Sequence, residues 1–238
     1  MTATGPTTNN VANRKLRRRS LRDEVADSLR NMILVGELRP DQRVIQDELA
    51  ASLGVSTMPV REALLQLSHE GLVEATHNRS FRIAHNTIED IRDTYWIHAQ
   101  LAGELAYRAS ASVNEDPRLV EDLEQLHQAA LEAMQTGLVD RMEETNWQFH
   151  RRINKATKSP RLLMMLRGTI RLIPQHFYAL LEGWATSSET GHLAILEAFQ
   201  RRDPRAARQA ASNHVLEAGE LLVTHFSDTG YWTPPRAE

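Results

Sequence analysis

Apolar residues recur every three or four positions through most of the chain, the period of an amphipathic helix. Leu21, Val25, Leu29 and Ile33 mark a first helix, closed by Gly36 and Pro40. Ile45, Leu49 and Leu53 mark a second, which stops at Gly54. A third starts at Ser56 and Thr57, both good capping residues, with Pro59 in its first turn. Its inward face is Val60, Ala63, Leu64 and Leu67, and Gly71 ends it. The period then changes: LVEAT and FRIA, joined by HNRS, predict a hairpin of two short strands. Three short helices and a hairpin between Leu21 and Ala84 make a winged helix-turn-helix.

From Thr87 onward the pattern is helical almost throughout. It predicts helices over Ile88–Ala111, Pro117–Gln135, Val139–Thr157, Arg161–Ile173, Pro174–Leu181, Ser188–Arg202 and Pro204–Ser227. NEDP, TGL, KSP, GWATSS and RDP separate them. No strand pattern occurs there, so the expected fold is mainly α: a winged helix-turn-helix over residues 20–86, then an all-helical bundle of six or seven helices over residues 87–228. Residues 1–13 and the tail 229–238 carry no apolar period and read as disordered. Between residue 13 and the first helix lies RKLRRR, with Arg14, Lys15, Arg17, Arg18 and Arg19. Such a run is either a solvated tail or an arm on the phosphate backbone of DNA.

Composition adds three exclusions. The chain has no cysteine, so disulfides and thiolate metal sites are ruled out. No apolar run approaches the roughly 18 residues of a membrane span. The polar N-terminus lacks the apolar core of a secretory signal, which places the expected location in the cytoplasm. Net charge is −3, but unevenly spread: residues 1–86 carry +2 and residues 87–238 carry −5. A mildly basic front half and an acidic back half fit two units with different partners.

A recognition helix enters the major groove by its N-terminal end. Here that end is STMPVRE, with Ser56, Thr57, Met58 and Arg61 as candidate DNA contacts. The helix N-terminus favours a phosphate, and the Arg61 fork matches guanine O6 and N7, unless it pairs with Glu62. His77 and Arg79 fall in the wing turn, where they reach a groove or phosphate or simply face solvent. This stretch resembles the GntR family of bacterial regulators. The resemblance rests on L-R-x-x-I-x-x-G-x-L-x-P from Leu29 to Pro40 and on DELAASLGVSTMPVREALLQLSHEGLV from Asp47 to Val73. It implies DNA binding, by a homodimer because one helix-turn-helix reads a half-site. Three positions depart from the family pattern. Asp41 stands for a glycine after the proline, Thr57 for a base-reading arginine, and Ser80 for a glycine of the wing.

Polar residues also interrupt apolar faces of the helical part. Asn146 and His150 share a face with Met142, Phe149 and Ile153; His192 lies with Ile195, Leu196 and Phe199; His214 lies with Ala207, Ala211, Ala218 and Leu221. Buried polar groups need partners, which leaves a hydrogen-bonded core or a divalent metal held by three imidazoles and an amide oxygen. The region from Ile88 to Phe226 is similar to the FadR C-terminal domain, or FCD, through NWQFHRRI and HLAILEAFQRRDPRAARQAASNH. That resemblance implies Asn146, His150, His192 and His214 as ligands, with zinc or nickel suited to imidazole. Asn146 replaces a frequent aspartate, removing one negative charge. His98 stands where related domains often hold an effector carboxylate with arginine; Arg171 and Tyr178 are further candidates for the effector pocket. His127, His176 and His225 have no motif support and read as ordinary packing or surface residues. A metal-dependent hydrolase is the alternative, but it has no His-Glu-x-x-His motif, and the phase of Glu143 and Glu144 is expected to turn them away from His150. The resulting reading is a ligand-responsive repressor or activator of transcription.

Overall fold

The computed structural model describes residues 20–76, 80–170 and 177–229. The basic run, His77 and Arg79 of the wing turn, Arg171, His176 and the C-terminal tail from residue 230 lie outside the described residues.

Helix α1 (Leu21–Leu34), strand β1 (Arg43–Val44), helices α2 (Gln46–Leu53) and α3 (Thr57–His69), and strands β2 (Val73–Thr76) and β3 (Ser80–Ile83) form the first unit. The three strands make an antiparallel sheet in the order β1-β3-β2. Strand β1 was not expected: two residues are too few to show a period, and only pairing of Val44 with Phe81 across β3 defines it. The inward faces of α1 and α3 are as expected, with Leu29, Ile33, Val60, Ala63, Leu64 and Leu67 wholly buried. Two expected apolar positions are not inside. Ile45 caps α2 and is 49% exposed, and Leu21, at the open end of α1, is 51% exposed. Each lies at a helix terminus, where the chain has not yet turned its face to the core.

An ion pair welds this unit. Arg30 of α1 lies inside and donates to both oxygens of Glu70, at the end of α3, at 2.9 and 2.8 Å; it also donates to Asp27 at 2.5 Å. The Leu-Arg and Glu-Gly-Leu segments of the family pattern are therefore two halves of one contact.

The helical unit comprises α4 (Ile88–Ala111), α5 (Leu119–Gln135), α6 (Val139–Ala156), α7 (Pro160–Ile170), α8 (Trp184–Gln200) and α9 (Pro204–Asp228), with short 3₁₀ turns at Val113–Glu115 and Tyr178–Leu180. Thr87 and Asp90 form a reciprocal capping box at the start of α4, and Asp203 caps α9 ahead of Pro204. Helix α8 begins at Trp184 rather than Ser188: Gly183 takes φ +79° and lets the buried Trp184 start the helix inside the run that reads as a breaker. Helices α4 and α9 approach closely through glycine. A side-chain carbon on Gly219 would lie 2.6 Å from the Tyr95 ring, and one on Gly103 would lie 2.2 Å from Ser212 Oγ. One buried cluster runs from the α1–α3 core through Ile91, Tyr95 and Ala99 of α4 to Val215, Leu222 and Phe226 of α9. A second cluster joins α4, α5, α6, α8 and α9 around Leu119, Phe149, Ile195 and Phe199. Among the described residues, no helix is long and apolar enough to cross a membrane.

Candidate functional site

At the recognition helix, Ser56 is the N-cap residue of α3, but its side chain makes no capping bond, so no side-chain cap occupies the first backbone N–H groups of the helix. Ser56, Thr57 and Arg61 are exposed, and Met58 is 70% exposed. Arg61 makes no ion pair with Glu62 or any other described residue. An apolar side chain and an unpaired guanidinium on one turn beside a helix N-terminus form a surface suited to a duplex groove. At the wing, Thr76 Oγ1 donates to the Ser80 carbonyl at 3.2 Å, which closes the turn from its base.

In the helical unit the structure brings three of the singled-out histidines together. His150 Nε2 lies 3.2 Å from His192 Nε2 and 3.2 Å from His214 Nε2. The three ligand atoms all lie within 4.8 Å of one another. They come from α6, α8 and α9, so packing of three helices creates the cluster. Phe149 stacks on His192 at 4.1 Å between ring centres, and Gly191 leaves the space that the His214 ring fills. Asn146 stands one turn from His150, and its Oδ1 accepts a hydrogen bond from Ser188 Oγ at 3.4 Å.

Burial holds these rings neutral, and at His192 and His214 the neighbouring imidazoles add to it. His150 is lowered to about 4, His214 to about 3, and His192 well below its ordinary value. One nitrogen of His150 faces two others, and a single lone pair or proton serves only one of them well. His214 Nδ1 is buried with no hydrogen-bond partner among the described residues. Three neutral nitrogens at this spacing suit a divalent ion, since two bonds of about 2.1 Å at roughly tetrahedral or right angles separate their nitrogens by about 3 Å. The donor set fits a metal, whose chemistry there would be to bind an oxygen of a ligand as a Lewis acid.

His150 and His214 form part of the wall of a cavity of about 160 Å3. Its polar lining also includes His98, Asn146, Glu143, Tyr95 and Tyr178. Two of the three effector candidates, His98 and Tyr178, thus reach one cavity with the imidazoles. The Tyr95 and Tyr178 hydroxyls lie 2.5 Å apart, and burial raises Tyr178 to about 12. His98 is lowered to about 4 by burial and by nearby His150, so it presents a neutral ring where related domains present a cation.

One reading needs correction, and another is narrowed to the inner of its two alternatives. Glu143 does not face away from His150: it is 6% exposed and lines the cavity with Asn146 and His150. Positions 143, 146 and 150 follow the i, i+3, i+7 stripe of a helix, so the face was readable from the spacing. His127 is not an ordinary surface residue. It is 9% exposed and lines a second small cavity with His192. His225 packs edge-on to Phe177, as a packing residue does.

Comparison with known proteins agrees with these features. The family model "Bacterial regulatory proteins, gntR family" matches residues 21–83, and the FCD domain model matches residues 93–217. An uncharacterized HTH-type transcriptional regulator of Mycobacterium tuberculosis (strain CDC 1551 / Oshkosh) is 31% identical over 90% of this chain and 86% of its own length. The HTH-type transcriptional regulator McbR of Escherichia coli K12 is 28% identical over 90% of this chain and 97% of its own. The solved structure of E. coli McbR/YncC shares the fold with a TM-score of 0.63 at 22% identity, covering 88% of this chain and 100% of that one. The Listeria monocytogenes protein Lar does so with a TM-score of 0.57 at 16% identity, covering 87% and 98%. Nothing in these matches favours a hydrolase. The chain belongs to the GntR family of bacterial regulatory proteins, with an FCD domain after its helix-turn-helix, and is a ligand-responsive DNA-binding transcriptional regulator rather than an enzyme.

Proposed function

We propose that a homodimer binds its operator through α3 and that a small-molecule effector binds in the helical unit on a divalent metal. Residues 20–86 are the DNA-binding domain, and residues 87–228 carry the effector, the metal and the dimer contacts. Ser56 and Thr57 hold phosphates, Met58 and Arg61 reach base edges, and His77 and Arg79 of the wing turn contact the adjacent groove or backbone. His150, His192 and His214 hold zinc or nickel, with the Asn146 carbonyl as a neutral fourth donor in place of a carboxylate. His98, Tyr178 and Arg171 orient the effector, and a carboxylate oxygen on it would complete the metal's coordination. Differential affinity of the effector for two arrangements of the dimer shifts operator affinity.

The observation that carries this reading is the convergence of three neutral imidazoles from three helices, two of which, His150 and His214, line the wall of a cavity. Metal analysis of purified protein, reconstituted with zinc or nickel, tests it. About one ion per chain is expected in the wild type and a trace in His150→Ala. A trace in both leaves the histidines as a hydrogen-bonded core. DNA reading is tested separately by gel shift on selected operators. Arg61→Ala is expected to weaken specific binding by about 1–3 kcal/mol and to relax the preference at one base pair. Unchanged specificity would remove Arg61 from the reading set.

A further inference from the structure

His192 does not line the large cavity; it lines a second one, of about 20 Å3, between α5, α6 and α8. The other polar residues of that wall are His127, Ser188 and Glu189. The volume suits a single water, which needs roughly 10–15 Å3 and two or more polar partners. His127 offers one: its Nδ1 is buried, with no hydrogen-bond partner among the described residues. Ser188 ties the same wall to α6 through Asn146.

We propose that this rear cavity binds one water joining His127 to His192, and that His127 and Glu189 are positioning residues of the metal centre. The proposal rests on the reading that the three imidazoles hold a metal. His192 turns its Nε2 toward His150, which leaves Nδ1 as the nitrogen for an outer partner. A metal-bound imidazole almost always gives its second N–H to a carboxylate, a carbonyl or a water, which fixes its tautomer and ring orientation. Stacking on Phe149 fixes the plane of the His192 ring but cannot choose between its tautomers. A water held by the His127 ring nitrogen and the Glu189 carboxylate can: it accepts a hydrogen bond from the His192 Nδ1–H and donates one to His127 Nδ1 and one to the Glu189 carboxylate. Neither residue touches the metal. Each acts through His192.

The test is the zinc affinity of the full-length protein, by competition with a chromophoric chelator, with the melting temperature of the metal-free form measured alongside. In His127→Leu and Glu189→Gln the zinc dissociation constant is expected to rise about 10- to 100-fold. His127→Gln keeps a group that can bond the water and is expected to recover part of the loss. A role in packing alone predicts a lower melting temperature for metal-free His127→Leu with zinc affinity unchanged in all three variants, and that result overturns the proposal. Glu189→Gln is nearly isosteric at a half-buried site, so it gives the answer if His127→Leu does not fold. A wild-type protein that fails to retain zinc overturns the metal reading itself, and with it this role. A wild type that retains zinc, with variants that retain it equally, overturns only this role.

Discussion

At Asp41 the backbone takes φ +65°, the left-handed region in which family members place glycine. The aspartate is held there by its own amide, which donates to the Ile83 carbonyl at 3.0 Å, and by its carboxylate, 3.1 Å from His85 Nδ1. A non-glycine residue in this region is strained by roughly 1 kcal/mol, and an exposed ion pair is worth less than about 1 kcal/mol. Asp41→Gly is therefore expected to leave the unfolding free energy, from urea titration, within about 1 kcal/mol of wild type, while Asp41→Val, β-branched and without the contact, falls further. A large loss in Asp41→Gly would mean that the His85 contact carries the turn. Gly191 is a different case. A side-chain carbon there would sit 2.2 Å from His214 Nδ1, so Gly191→Ala must push the ring off the cluster. Its zinc affinity is expected to fall at least about tenfold. Gly103→Ala, equally tight against Ser212, should lower stability without that loss. Equal zinc affinity in Gly191→Ala would show that the ring tolerates the shift.

Among elements, the recognition helix depends on α1. The Arg30–Glu70 pair lies inside, with side chains 7% and 5% exposed, so removing Glu70 leaves the buried guanidinium with only the half-exposed Asp27. Glu70→Ala is expected to destabilise by about 3–5 kcal/mol, whereas the double change Arg30→Met with Glu70→Leu recovers most of that. Chemical denaturation of both variants measures it, and a double variant no better than the single one contradicts the argument. The sequence marks Arg30 and Glu70 through the family pattern but says nothing of their contact, 40 positions apart in the chain. Helix existence was legible where the apolar period is long, whereas of the expected helix over Pro174–Leu181 the described residues carry only the 3₁₀ turn Tyr178–Leu180. Element ends were not: Trp184 extends α8 into a run of threonine and serine because a buried indole outweighs their weak helix preference. Strand β1 had no local signal, since its pairing with β3 is a long-range contact.

Across the whole molecule the buried imidazoles make stability depend on pH. His98, His150 and His214 titrate at about 4, 4 and 3 in the folded protein, against an ordinary value near 6.5 in the unfolded chain. Between these values the unfolded chain binds protons that the folded one refuses, so stability is full above about 6.5 and falls as pH drops toward 4. Metal-free protein should melt at progressively lower temperature from pH 7 to pH 4.5, and His98→Gln should flatten the slope. A constant melting temperature over that range would show that the rings reach solvent. The buried cluster shared by the α1–α3 unit, α4 and α9 gives the cavity beside His150 and His214 a packed route toward the winged helix-turn-helix, since Tyr95 lines the cavity and belongs to that cluster.

The sequence by itself determined the winged helix-turn-helix and the helical unit, through apolar period, caps and breakers, because these are properties of neighbouring residues. It also singled out His150, His192 and His214, because a polar residue on an apolar stripe is visible in one helix at a time. Only the tertiary structure decided that the three rings meet, that Glu143 and His98 share their cavity, and that His127 stands behind His192. Those facts depend on how α4, α5, α6, α8 and α9 cross. The crossings are set by close contacts at small residues such as Gly103, Gly191 and Gly219, which carry no period and leave no signal along the chain.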